Sequence, residues 1–214
     1  MDLRLFPLQT VLFPGMRLPL HVFEERYKAM VRECIEEDAP FGVALIRSGP
    51  EVGGPAVPHD VGTTAVISQV EYLENGRMNL MTIGRERFRI LAVTTTSPYL
   101  RAEVEPLAQA AEAWTPELTA RAEGIFAAYL QTYLALGSQW TRGVELPADP
   151  GEAADYIAAR MDIAAPLKQE LLEELSPSAR VRRELEILTG ELPEMQVRLR
   201  ALLRQKTAGF GVLN

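Results

Sequence analysis

Two histidines, one cysteine and a scatter of paired carboxylates are the side chains from which this 214-residue chain would have to build covalent or acid–base chemistry. His21 and His59 stand far apart, and neither has a neighbour at the spacing of a metal ligand or a nucleophile–base pair. Cys34 is alone, so neither an intramolecular disulfide nor a cysteine-based metal cluster can form. It falls on the apolar side of a helical repeat, where a thiol behaves as a small hydrophobe. The pairs Glu24-Glu25, Glu36-Glu37 and Glu173-Glu174 read as solvated helical faces. The segment GPEVGG at 49–54 is rich in glycine but lacks the G-x-G-x-x-G spacing, and a phosphate loop has little to reach with, since the lysines are Lys28, Lys168 and Lys206. No G-x-S-x-G elbow or HExxH helix occurs either. The expectation is a chain without catalytic residues, metal or cofactor.

Binding residues are a different matter, because recognition needs only exposed charge or apolar surface. Glu25 and Arg26 sit where a helix begins, placed either to pair locally or to touch a protein partner. Arg85, Arg87 and Arg89 recur at every second position of a strand, which puts them on one side, facing either an acidic partner or RNA, or else the carboxylates of Glu71, Glu103 or Glu105 on neighbouring strands. Net charge is −7, with 11 basic and 14 acidic residues in 1–107 and 11 and 15 in 108–214, so neither half is a basic module. Phosphate backbones require clustered positive charge, and nucleic acid is accordingly disfavoured.

These residues are positioned by two kinds of chain. From Leu3 to Leu107 short apolar runs alternate with turn residues. Phe6-Pro7, Phe13-Pro14 and Leu18-Pro19 hold the first segments extended, around 3–8, 11–13 and 16–22, and Pro14-Gly15 is a turn dipeptide. Tyr27, Met30, Val31, Cys34 and Ile35 then fall at helical spacing, predicting a helix over about 24–37 with Lys28 on its polar side. Phe41–Arg47 reads as a buried strand, and residues 48–60, holding Gly49, Pro50, Gly53, Gly54, Pro55 and Pro58, as a loop that is either functional or merely mobile. Asn75-Gly76 marks a hairpin between 61–74 and 77–83, and further strands follow at 86–93 and 99–107. Six or seven short strands with one helix predict a closed or nearly closed β-barrel.

Beyond Ala108 the period becomes helical. Thr115-Pro116-Glu117 and Asp149-Pro150-Gly151-Glu152 are helix starts, Pro166–Leu175 supplies a third helix, and Ser176-Pro177 opens a fourth with Val181, Leu185 and Leu188 along one stripe. Gly190 and Pro193 are expected to break or kink it before Met195, Leu199, Leu202 and Leu203 resume the stripe. Strands segregated from helices give an α+β protein, with a β-barrel subdomain over 1–110 and a helical subdomain over 111–214. No apolar run approaches the ~18 residues of a membrane span, and the N-terminus lacks the features of a secretory signal, so the chain is read as cytoplasmic.

The FPG turn at 13–15, PLHVFEERY from 19, FGVALI from 41, VGTTAVISQVEYLENGRMNL from 61, GRERFRI from 84 and YLRAEVEPL from 99 form one ordered series. It resembles the N-terminal substrate-binding domain of Lon-type ATP-dependent proteases, with weaker similarity through KQELLEEL and VRRELEIL, so that about Leu3 to Leu188 is covered. The resemblance implies a PUA-like pseudo-barrel with one helix, followed by a helical bundle. It implies recognition of polypeptide clients, or an accessory or regulatory role beside a protease partner. It stops short of the ATPase motor and the Ser-Lys protease domain, so a stand-alone Lon N-terminal domain is expected. The C-terminal stripe offers a surface for homo-oligomers. The alternative is an RNA- or nucleotide-binding module, because PUA-like barrels host RNA recognition elsewhere; that rests on fold analogy alone.

Overall fold

The computed structural model describes residues 1–54, 56–141 and 143–210, with side chains as far as 205; Pro55, assigned above to the 48–60 loop, lies outside the described residues. Two compact units emerge, one from Met1–Ala110 with Met161–Leu175 and the other from Ala111–Arg160 with the chain from Ser176 onward.

The first unit is a seven-stranded sheet that closes on itself. Strands β1 (Asp2–Leu8), β2 (Arg17–Val22), β3 (Phe41–Ser48), β4 (Val57–Pro58), β5 (Val61–Tyr72), β6 (Met78–Thr95) and β7 (Leu100–Leu107) appear in that order, with helix α1 (Glu25–Glu36) between β2 and β3. Spatially the sequence is β1-β7-β6-β5-β3, and a parallel β1–β3 pairing joins the two ends. β1 is therefore bonded on both edges, to β3 through Leu5↔Gly42 and to β7 through Leu5↔Leu100. Its side chains are buried on both faces. Leu3 and Leu5 join Phe88, Ala102 and Val104 inside the ring, whereas Phe6 and Leu8 join Tyr27, Met30, Val31 and Cys34 of α1 on the other side.

Two glycines make room for that interior. A Cβ on Gly42 would lie 2.7 Å from both Leu5 and the Phe88 ring, and one on Gly62 would lie 2.4 Å from the Val43 carbonyl. Phe88 reaches across the ring only because these positions carry no side chain.

The structure departs from the sequence reading in several places. Residues 11–13 are buried but are not a strand. The Thr63 hydroxyl satisfies the Leu12 carbonyl at 2.6 Å, and a turn donates Met16 N–H to Phe13 O at 3.1 Å with Gly15 at φ +73°. The two strands expected over 77–93 are one 18-residue strand, β6, shared between partners: its start lies between β2 and β5, Arg87–Arg89 between β5 and β7, and its end pairs with β7. The hairpin before it does carry positive φ at both Asn75 (+60°) and Gly76 (+67°). Lys28 is buried instead of solvated, because its Nζ donates to the Asn75 carbonyl at 3.0 Å and fixes that hairpin to α1.

In the second unit α2 (Pro116–Leu136) and α3 (Pro150–Arg160) pack on α5 (Pro177–Phe210). Thr115 accepts the Leu118 N–H, Asp149 Oδ1 accepts the Glu152 N–H at 2.9 Å, and Ser176 Oγ accepts the Ala179 N–H at 3.1 Å, so each start is capped. Val181, Leu185 and Leu188 are buried as expected. Gly190 and Pro193 do not interrupt α5, which runs through both. The segment around them is largely exposed, so water can satisfy the carbonyl that proline leaves without a donor. α4 (Ala165–Glu173), expected with the other helices, belongs to the barrel unit. Gln169 Nε2 donates to Val61 O at 3.0 Å and Arg87 Nε to Leu172 O at 2.9 Å.

Gly62→Ala is expected to lower stability by about 1–3 kcal/mol, the ordinary cost of overpacking, because the backbone of β3 cannot retreat without opening the ring. Thermal or urea unfolding beside Gly124→Ala, where an added Cβ meets nothing within 4 Å, provides the control; equal melting of the two variants contradicts this account.

Candidate functional site

β2 pairs with β6 and with no other strand among the described residues, so one of its edges is free. Along it lies a cleft of about 400 Å³. Its floor is apolar and belongs to the core: Phe6, Leu8, Leu18, Val22 and Tyr27 are all buried, with the Phe6 and Tyr27 rings stacked at 4.0 Å. Its rim is apolar too, and open. Phe23 is 46% exposed and stacks on His21 at 5.9 Å, while Val52 from the 48–54 loop is 53% exposed.

A second hollow, of about 730 Å³, lies against the sheet formed by β2, β6 and β5 and shares Pro19, Leu20 and His21 with the first. Two cross-strand rows build it. Pro19 pairs with Met81 and Met81 with Gln69; His21 pairs with Asn79 and Asn79 with Glu71. In the polar row Asn79 Nδ2 donates to Glu71 Oε2 at 2.8 Å, which turns the Asn79 carbonyl oxygen to His21 Nδ1, also at 2.8 Å. That nitrogen must then carry the ring proton, and the imidazole is held in one orientation.

The 48–54 loop is fastened over the first cleft. Gln9 N–H donates to Glu51 Oε2 at 2.8 Å, Gly53 N–H donates to Glu24 Oε2 at 3.2 Å, and Arg26 Nη1 donates to Gly54 O at 3.1 Å. Arg26 also binds Glu24 through Nε at 3.1 Å and lies 4.5 Å above the Tyr27 ring. Burial raises the Tyr27 hydroxyl above its usual range; the Arg26 charge opposes this and the Glu24 and Glu51 carboxylates add to it, so the ring stays neutral. Burial likewise pushes the Cys34 thiol up to about 11, which leaves it inert at the helix–sheet interface.

Of the four residues singled out in the sequence, Arg26 alone adjoins the cleft, and it acts there as the clasp of a loop. Glu25 is exposed and pairs with Lys28 Nζ at 2.5 Å. Arg85 is exposed and lines neither hollow. Arg87 is 2% exposed beneath α4, so the three arginines do not share an accessible face. Arg89 stands 3.8 Å from Glu105, the cross-strand pairing weighed above. Leu20 and Phe23 read from the sequence as structural residues of the N-terminal signature and not as binding residues, and Glu51 and Val52 carried no signal. The signal for Phe23 was present, since it is a large apolar residue that fits neither the extended run nor the apolar side of α1. No group of three or more His, Cys, Asp or Glu among the described residues is placed to hold a metal ion, and no described helix is long and apolar enough to cross a membrane.

A self-closed sheet with an α1 backing, followed by helices, is the fold of Lon N-terminal domains. A Lon N-terminal domain protein from Xanthomonas campestris superposes with a TM-score of 0.64 at 26% identity, over 87% of this chain and 98% of that one. The N-terminal domain of a Mycobacterium avium complex Lon protease, at 22% identity and a TM-score of 0.63, shares the fold over 88% of this chain and 98% of its own. The chain belongs to the family of ATP-dependent protease La (LON) substrate-binding domains, whose family model matches residues 2–190. Lon protease of Anaeromyxobacter dehalogenans is 30% identical over 191 residues, 87% of this chain and 23% of that protein, and Lon protease 1 of Thermus thermophilus is 29% identical over 96% and 27%. The chain thus spans about a quarter of the length of the curated relatives it matches.

Replacing Arg26 by alanine is expected to release the loop without unfolding the barrel. Amide exchange at Gly53 should accelerate by about ten-fold, in keeping with loss of a charge-assisted contact, while β1 and β3 amides keep their protection. Unchanged exchange at Gly53 would mean that something other than the Arg26–Glu24 pair holds it.

Proposed function

We propose that this chain is a non-catalytic, cytoplasmic polypeptide-binding module that takes up apolar segments of unfolded or degron-bearing clients, in the service of proteolysis. One observation carries the reading: an apolar cleft along a free strand edge, floored by Phe6, Leu8, Leu18, Val22 and Tyr27 and rimmed by exposed Phe23 and Val52. Unfolded chains differ from folded ones chiefly in displaying apolar side chains, and an open apolar surface of this kind is what selects them. A strand edge adds main-chain groups that every polypeptide can pair with regardless of sequence. Membership of the Lon substrate-binding family supports the same reading. Nucleic acid finds no support in the site, because among the described residues no Lys or Arg lines either hollow.

Delivery to a protease, whether in the same polypeptide or as a separate partner, is the role this binding would serve. Val197 and Leu202, exposed on α5 beyond Pro193, are where a second copy or such a partner would be sought.

Phe23→Asp is expected to weaken binding of a permanently unfolded model protein about ten-fold, the usual loss for an exposed aromatic anchor. Fluorescence anisotropy measures the affinity and circular dichroism confirms an unchanged melting temperature. Wild-type protein that binds no unfolded polypeptide refutes the proposal.

A further inference from the structure

The charges around the two hollows are unevenly compensated. Glu24 Oε2 is met by Arg26 through Nε at 3.1 Å and Nη2 at 3.0 Å, and by the Gly53 N–H, so its charge is already answered. Glu51, on the wall of the first hollow, accepts the Gln9 N–H. Glu71, on the wall of the second, accepts the Asn79 side-chain N–H. Both donors are neutral, and neither carboxylate is engaged in an ion pair among the described residues. Among the described residues, the only other ionisable side chains on the two walls are His21, which both share, and Tyr27, which burial keeps neutral. Pro19 and Leu20 line both hollows and so link the two carboxylates by apolar surface, with Phe23 beside them in the first.

From this arrangement we infer that the site selects, among apolar segments, those flanked by Lys or Arg, and rejects those flanked by Asp or Glu. The inference rests on the polypeptide-binding reading above and specifies its client class. A segment anchored by apolar side chains on Leu20 and Phe23 brings its flanking residues against Glu51 on one side and Glu71 on the other. Cations there gain two exposed ion pairs with partners that have no competing cation to release. Anions meet like charge at both ends, and complementarity of this kind governs partner choice more than overall strength. His21, which lines both hollows, gives its Nδ1 hydrogen to the Asn79 carbonyl oxygen and makes no ion pair with either carboxylate among the described residues.

The test uses the whole chain and three synthetic peptides sharing one apolar core, flanked by Lys, by Gln or by Glu. At low ionic strength the Lys-flanked peptide is expected to bind about ten-fold more tightly than the Glu-flanked one, with the Gln-flanked peptide between them. Near 1 M salt, where screening acts within about 3 Å, the order should collapse to near parity. In the E51Q/E71Q double variant the ratio of the affinities for the Lys- and Glu-flanked peptides should fall to near one, whatever the absolute affinity; a ratio that persists overturns the inference. Should that variant fail to fold, the salt dependence of the wild type decides. Equal affinity for Lys- and Glu-flanked peptides, with the Gln-flanked peptide bound, overturns this inference and leaves the polypeptide-binding reading intact. If none of the three binds, both fall.

Discussion

Everything in the barrel unit depends on one strand being bonded along both edges. β1 contributes seven residues, yet it joins β3, some forty residues later, to β7, a hundred residues later. Without it the ring is an open sheet with two unpaired ends, and edges of that kind are where chains aggregate. The closure is reinforced outside the ladder. Arg4 reaches from the middle of β1 to α1, with Nη2 2.7 Å from both Glu37 oxygens and Nε 3.2 Å from Glu33, and Glu33 also accepts the Tyr99 hydroxyl. Those bonds, Tyr99 first and Arg4 after it, hold the Glu33 carboxyl below its usual range. Strand, helix and the approach to β7 are thus tied by one partly buried polar cluster.

The cleft is a by-product of the same closure. Because β1 is buried on both faces, Phe6 and Leu8 must be covered from outside the ring, and α1 covers them together with Leu18 and Val22 of β2, the Phe6 ring stacking on Tyr27. β2 lies beside this seam and pairs on one edge. Pro19 suits it to that place, since proline deprives a strand of one ladder donor and is tolerated at sheet margins. What remains is an apolar seam along a free edge, its floor buried and its rim of Phe23 and Val52 open, with the 48–54 loop pinned beside it by Arg26 and Glu24. The composition of that loop is equally compatible with mobility; its bonds to Gln9, Glu24 and Arg26 make it part of the wall.

Much of this was legible in the residues, and the exceptions share a cause. The period change at Glu24, the continuous apolar run of β3, the positive-φ hairpin at Asn75-Gly76 and the capped helix starts are local signals, and they specify local structure. The ordered series from FPG to YLRAEVEPL carried the family. What was misjudged depends on tertiary neighbours. Residues 11–13 look like a strand but have their carbonyls answered by Thr63 and by a turn. Arg87 looks solvent-facing in its alternating series, but α4 arrives from eighty residues away to cover it. Lys28 sits in a polar helical register, yet a hairpin carbonyl takes its ammonium. The cleft was invisible for the same reason, since its floor and rim come from four separate stretches of chain.

Floor and rim answer to different demands, and this separation suits the seam to the binding proposed for it. Phe6, Leu8, Leu18, Val22 and Tyr27 are held by the core, and truncating any of them removes packing on which the ring relies. Phe23 and Val52 contribute little to that packing, because about half of each faces solvent already. Their exposure costs the folded state free energy that burial would return, and a monomer gains nothing from it. A bound apolar segment recovers that term while leaving the ring unchanged. Affinity can therefore vary with the rim residues while stability stays with the floor, and the selection proposed for Glu51 and Glu71 would act on the same outer layer, since neither carboxylate belongs to the contacts that hold the barrel closed.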